Sequence, residues 1–437
     1  MKRHLILIAI LAFSFSMKAQ QKVWTLRQCI DYAMEHNVAV LESQMNQETA
    51  EYQHKMARHA WLPSLNANAA EGFGFGMSPS ANGIYVPNNS SSTSFGISMD
   101  MPVFSGLNIY NRQKSNELNL QASEKDLEAV KFDLELAIMG YYMQVVYNKE
   151  LKTIAEKQLA LTQEQHSKTQ ELYAVGMVAE SDVYESAAQV ATAKSSLVQA
   201  DNTLMLSLLD LAQALDIDDV AGFDVVSPES FADQQTLVLP SQDDTYNHAL
   251  VNIPRMQAEN LRLEKTYYDL KSVKSAWYPQ LSFYAGFSDN YYRYFNSSIT
   301  NEPFGEQLKN NGRTSVGLQL NIPIFNRMQT KYNVAAAKIS IKNQELAIDN
   351  EELKLKKEIQ QAYYNALAAE QKYDASRESF NAAEMAYRFS SESYTAGKAT
   401  LLELNESKNR LFKSESEMLQ AKYEYLYRVK VLEKYNE

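Results

Sequence analysis

Two hydrophobic periods divide the chain. In SFGISMDMPVF (Ser94 to Phe104), Phe95, Ile97, Met99, Met101 and Val103 share one face, and Ser94, Gly96, Ser98 and Asp100 share the other. TSVGLQLNIPI (Thr314 to Ile324) sets Val316, Leu318, Leu320, Ile322 and Ile324 against Gly317, Gln319 and Asn321, and Leu281, Phe283, Ala285 and Phe287 alternate likewise. This period of two predicts strands. A fourth strand follows Pro63, but Glu71 shares the parity of Leu65, Phe73 and Phe75, which places it at a strand end or a bulge. The other period is helical. Gly106 to Val175 and Asn326 to Ala396 predict helices of about 70 residues, roughly 105 Å each at the rise of an α-helix. Shorter helices are expected over Leu26 to Trp61 and Thr245 to Trp277, and return helices after Gly176 and Gly397. From Leu107 to Ala221 there is no proline, and Gly140 and Gly176 are the only glycines. Three carboxylates, Glu180, Asp182 and Glu185, follow Gly176 closely.

The chain is written twice. AWLPSL at Ala60 recurs as AWYPQL at Ala276, MPVFSGLNIYN at Met101 as IPIFNRMQTKYN at Ile322, and ELYAVGMVAESDVYES at Glu171 as ESYTAGKATLLELNES at Glu392. Landmarks in one order at nearly one spacing indicate an internal duplication. The expected organisation is a signal over 1–19, a first repeat over 20–217, an acidic linker over 218–243 and a second repeat over 244–437. Each repeat carries a helix, two strands, a long helix, a turn and a return helix.

Strands of about ten residues with one apolar face and one small, wet face are the pattern of membrane β-barrels. The alternative is a soluble pair of hairpins with one buried face. The aromatics favour the barrel: Trp61 and Trp277 stand at the entry side, and Tyr291, Tyr292, Tyr294 and Phe295 at the far side, as interfacial girdles do. Gly83 to Ser94 and Asn296 to Gly312 then become outer loops. Four strands cannot close a barrel, and an open edge is not tolerated in lipid. The chain must therefore oligomerise; two copies give eight strands and three give twelve.

Composition narrows the function. Lys2, Arg3 and His4, the apolar run Leu5 to Phe15 and the small residue Ala19 form a secretory signal. Removing Lys2, Arg3 and Lys18 with it leaves 39 basic against 53 acidic residues, a net charge near −14 that disfavours nucleic acid. The single cysteine, Cys29, excludes an internal disulfide framework and reads as a small buried apolar residue. The histidines are scattered, with His54 and His59 five apart, and GFGFG (Gly72 to Gly76) has no following Lys-Ser/Thr. No catalytic, cofactor or metal constellation is expected, so energy must come from a partner.

With these features together, the chain resembles the TolC-like outer-membrane efflux protein family, above all in YAVGMVAESDVYES and YTAGKATLLELNES. The resemblance covers nearly all of the mature chain. It implies a mostly α chain with membrane β: a trimeric 12-stranded β-barrel, four strands per chain, continued by a long α-helical coiled-coil periplasmic tunnel. It implies an outer-membrane exit duct of a tripartite efflux or secretion system, passive and gated at its helical tips. The implied partners are two further copies of the chain, a periplasmic adaptor, an inner-membrane RND- or ABC-type pump and outer-membrane lipid. Gly176 and Gly397 match the hairpin-tip turns. Glu403 and Glu406 match an inward-facing acidic ring at the aperture, a filter of the charged-ring kind. Asp182 and Tyr394 match members of the supporting network, with Glu185 as the repeat mirror of Glu406, and Trp61 and Trp277 mark the membrane interface. The network's basic partner is absent, since Ala399 stands in its place. Capping is the rival account of two acids: Thr400 with Glu403 is a capping-box pattern, and carboxylates favour a helix N-terminus. It explains Glu406 and Glu185 poorly. A periplasmic adaptor and a structural coiled-coil envelope protein are the alternatives. The first lacks its expected β-domain here, and the second needs neither four alternating strands nor a repeat.

Overall fold

The computed structural model describes residues 23–79, 82–217, 222–226, 239–295 and 300–436. The predicted signal and most of the linker lie outside the described residues.

The two sequence repeats become two matching sets of elements. In the first, strand β1 (Val23–Trp24) leads to α1 (Leu26–His36), α2 (Val38–Arg58) and a 3-10 turn at His59–Trp61. Strand β2 (Ser64–Gly74), hairpin β3 (Met77–Pro79) and β4 (Tyr85–Pro87), and strand β5 (Ser90–Phe104) follow, then α3 (Asn108–Ala174) and α4 (Glu180–Ala214). Beyond β6 (Asp224–Val225), the second set runs α5 (Gln242–Asn252), α6 (Pro254–Lys274), a 3-10 turn at Ser275–Trp277, β7 (Gln280–Tyr294), α7 (Phe304–Asn311), β8 (Arg313–Asn321), α8 (Gln329–Thr395) and α9 (Leu401–Tyr435). The long helices α3 and α8 have 67 residues each, and the return helices α4 and α9 have 35 each.

The short helices differ from expectation in the same way in both halves: each breaks into two. The breaking residues, Asn37 and Ile253, are extended, at φ −64° and ψ 130° and at φ −64° and ψ 128°. Ile253 precedes Pro254, whose ring disfavours helical backbone before it. Asn37 reaches the same conformation without a proline. Its Oδ1 accepts from the Ala39 N–H at 2.9 Å and its Nδ2 donates to the Ala214 carbonyl at 3.0 Å.

The described chain forms two compact units. One combines the residues up to Met45 with Lys125–Gln257 and Asp349–Glu437. Its largest fully buried side chains include Ile138, Tyr142, Leu211, Leu355, Ile359 and Leu432. Here β1 pairs in parallel with β6. Lys149 clamps that pair, its Nζ donating to both Asp224 carboxylate oxygens at 2.7 and 2.8 Å and to the Val225 carbonyl at 2.7 Å. Cys29 is buried, as expected, and burial pushes its thiol pKa up to about 12. Gly140 gives Tyr427 room to lie on α3, since a Cβ there would fall 3.3 Å from the tyrosine oxygen.

The second unit, Asn46–Glu124 with Ala258–Ile348, holds an antiparallel sheet in the order β2-β5-β7-β8. Directly opposed residues share a face. Leu65 faces Met99, which faces Ala285, which faces Val316. Asn68 faces Gly96, which faces Ser288, which faces Arg313. Over these rows one face is apolar and the other small and polar, as the alternation predicts; towards the far end the apolar face also carries Asp289, opposite Phe95, and Arg293, opposite Ser91. β2 runs in unbroken register with β5 through Glu71, so there is no bulge at that residue; the register shift lies at Pro102/Phe104 instead. Glu71 sits opposite Thr93, and its carboxylate accepts a hydrogen bond from the threonine hydroxyl.

Three boundaries differ from the sequence reading. β5 begins at Ser90, β8 ends at Asn321, and the second expected outer loop contains helix α7. Side-chain amides explain why α7 forms. β8 pairs with β7 only as far as Ser288, which leaves the last residues of β7, still paired with β5, without a strand on that side. Gln307 replaces the strand at Tyr292, accepting from its N–H at 2.9 Å and donating to its carbonyl at 2.8 Å. Asn301 does the same at Tyr294, at 2.6 and 2.8 Å, and Asn311 donates to the Asn290 carbonyl at 2.6 Å. An edge whose backbone groups want partners is closed by a ladder of amide side chains.

Candidate functional site: the paired hairpin tips

The turns at Gly176 and Gly397 are the same structure. Gly176 has φ 75° and Gly397 φ 69°, a left-handed conformation that favours glycine. In the first turn the Gly176 N–H bonds to the Tyr173 carbonyl at 2.9 Å and the Met177 N–H to the Leu172 carbonyl at 2.9 Å. In the second, Gly397 bonds to Tyr394 at 2.9 Å and Lys398 to Ser393 at 2.8 Å. Both are Schellman motifs, which satisfy the last carbonyls of α3 and α8 while reversing the chain.

The return helices start differently. α9 opens on a complete capping box: the Glu403 N–H donates to Thr400 Oγ1 at 3.2 Å, and the Thr400 N–H donates to Glu403 Oε2 at 2.8 Å. α4 has half of one. Asp182 Oδ2 accepts from the Ala179 N–H at 3.3 Å, and Ala179 has no side-chain oxygen to return the bond. One turn further on, Glu185 and Glu406 are exposed; Glu185 accepts from Gln189 Nε2 at 3.1 Å. Each tip thus carries one carboxylate tied to its helix N-terminus and one presented outward a turn later; the first tip adds Glu180, which accepts from the Tyr184 hydroxyl at 3.3 Å.

Among the described residues, no hydrogen bond joins Asp182 to Tyr394, which is half-buried at the last turn of α8. Ala399 offers no cation. Trp61 and Trp277 close the 3-10 turns that lead into β2 and β7, Trp61 half-buried and Trp277 exposed.

Two groups near the tips, one half-buried and one buried, escaped the sequence reading. His166 on α3 lies 2.7 Å from Ser186 Oγ on α4. The serine hydroxyl also lies 2.8 Å from the Val183 carbonyl of its own helix, so Ser186 links the His166 ring to the first turns of α4. The second is Lys408 on α9. It is 3% exposed, its Nζ lies 3.4 Å from Thr162 Oγ1, and burial holds its pKa below the usual 10.5. The signal was present: Lys408 interrupts the stripe of Leu404 and Phe412, both buried, at helical spacing. Among the described residues no His/Cys/Asp/Glu group forms a metal site, and no helix is long and apolar enough to cross a membrane.

The fold is that of solved outer-membrane channels. The Campylobacter jejuni CmeC outer membrane channel superposes with a TM-score of 0.77 at 17% identity, over 94% of this chain and 85% of that one. The outer membrane efflux protein model matches residues 29–216 and again 245–435, and the chain belongs to that family. Among its relatives, the outer membrane protein TolC of Escherichia coli is 23% identical over 432 residues, 96% of this chain and 83% of its own length. The outer membrane efflux protein BepC of Brucella suis is 22% identical over 332 residues, 75% of this chain and 68% of its own length.

Proposed function

We propose that three copies of this chain form a passive exit duct in the outer membrane, exported there by the signal at 1–19. The duct takes substrates from an inner-membrane RND- or ABC-type pump and a periplasmic adaptor, and has no chemistry of its own. The observation that carries this reading is the sheet β2-β5-β7-β8, which exposes an apolar face and leaves β2 and β8 as edges. In lipid those edges must pair, and three copies of a four-stranded sheet close a twelve-stranded barrel. The apolar face then meets lipid and the polar face lines the lumen, with Trp61 and Trp277 at the membrane interface.

In the same reading the tips at Gly176 and Gly397 form the aperture. Glu403 and Glu406 supply six carboxylates to the mouth of the trimer and attract cations. Asp182, Glu185 and Tyr394 support the closed state. Heat-modifiable trimer bands and single-channel conductance in planar bilayers test the duct. A monomer that conducts nothing overturns it and favours an adaptor or a structural coiled-coil protein.

A further inference from the structure

We propose that α7 is an interface element between copies, packing on the apolar β3–β4 hairpin of the next chain; this rests on the trimeric reading above. The argument begins with strand lengths. β8 stops in the row of Ser288, whereas β7 runs on through Tyr294, and β2 reaches that same row through Gly74, Ser90 and Tyr294. In this contact β8 of one chain pairs with the first rows of β2 of the next, and β2 continues past the end of β8 into β3. A gap opens there between the upper part of β7 and the neighbour's β2–β3 segment. α7 occupies the β7 side of that gap, fixed by the amides of Asn301, Gln307 and Asn311.

Both walls of the gap are apolar. Phe304 of α7 stacks edge-on against Tyr291 at 5.1 Å and remains 49% exposed. Phe75, just before the hairpin, is 77% exposed, and the hairpin exposes 59% of Met77 and 63% of Tyr85. The hairpin is held in shape, with the Gly76 N–H donating to Asn89 Oδ1 at 3.0 Å and the Asn88 N–H to the Gly76 carbonyl at 2.7 Å. A second copy is the occupant that strand order supplies, because the unpaired edge below the gap is the edge barrel closure must join. The contact staples the outer rim of the barrel where strand pairing has ended, and it keeps α7 at the rim rather than across the pore.

The test uses the full-length protein with Cys29→Ala, which removes the only native cysteine. Phe304→Cys is combined in turn with Phe75→Cys, Met77→Cys and Tyr85→Cys and treated with a short bis-maleimide. The expected result is a trimer that survives boiling for at least one pair, and cross-linked dimers when chains carrying one cysteine each are mixed. A heat-modifiable, conducting trimer that cross-links at none of the three pairs overturns the contact and leaves the duct standing. So does Phe304→Trp fluorescence in the native trimer quenched by lipids brominated on their chains, which would put lipid where the neighbour belongs. Absence of any trimer overturns both readings.

Discussion

The ammonium of Lys408 and the hydroxyl of Thr162 meet at 3.4 Å inside the helical unit, across the contact of α9 with α3. Thr162 gives its own proton to the Gln158 carbonyl at 2.7 Å, so its oxygen is free to accept from the lysine. A neutral hydroxyl does not repay the desolvation of a cation, and the lysine pKa falls. Below the lowered value the lysine is charged in both folded and unfolded chains, and the folded chain carries the whole cost. Between that value and 10.5 the unfolded chain binds more protons, so stability rises with pH. Lys408→Met is expected to raise the melting temperature at pH 7. The gap between mutant and parent should close as the pH approaches 10, followed by circular dichroism in detergent. A parallel pair of curves would show that the lysine is not buried in the assembled protein.

Charge and capping separate at Glu403. Glutamine keeps the oxygen that accepts from the Thr400 N–H. Glu403→Gln with Glu406→Gln should therefore leave the fold intact and weaken block of the pore by divalent and trivalent cations, read from single-channel currents. Unchanged block would show that the pair does not line the mouth.

The first tip lacks half of its cap. Ala179→Ser supplies the missing oxygen and is expected to stabilise α4 by about 0.5–1 kcal/mol, and Thr400→Ala to cost α9 about 1 kcal/mol. Hydrogen exchange at the two tips reads both changes, with protection rising after Glu180 in one and falling after Leu401 in the other.

After each of β5 and β8 the chain makes two consecutive left-handed residues, Gly106 and Leu107 in one repeat and Arg327 and Met328 in the other. A Cβ at Gly106 would fall 2.7 Å from Tyr278 Cβ and 2.8 Å from the Ser275 carbonyl. Gly106→Ala is expected to destabilise by about 2 kcal/mol. Arg327→Gly relieves a side chain of left-handed backbone and should stabilise by about 1 kcal/mol. Urea midpoints for the two variants should move in opposite directions.

Arg255 pairs with Glu351 at 3.2 Å and with Glu358, all three mostly buried. Removing the arginine strands Glu358 and leaves Glu351 with Lys354 at 3.6 Å, so Arg255→Met should cost about 3 kcal/mol. The size of the drop in melting temperature checks this.

Much of the architecture was legible. Alternation fixed the faces of β5, β7 and β8 because a period of two admits only one assignment once a side is apolar. The duplicated glycines marked both tips because a helix reversal needs left-handed backbone. What the sequence hid was local satisfaction of polar groups. FGEQLKNN is too short to announce a helix, and its helix depends on the exposed edge of β7 that its amides cover. Pro254 signals the break at Ile253, but Asn37 makes the matching break through hydrogen bonds that a proline search does not see. Lys408 reads as a surface lysine until its neighbours on α9 are seen to be buried.

The equal lengths of α3 and α8 have an evolutionary consequence. Each residue added to a helix moves everything beyond it by 1.5 Å and turns it by about 100°. An insertion within one long helix would advance and rotate one tip while its partner stayed put. Length changes in this chain should therefore be confined to segments outside the helices, such as the β3–β4 hairpin, or arrive as matched pairs in both repeats. The duplicated half that began as a copy now acts as a ruler for the other.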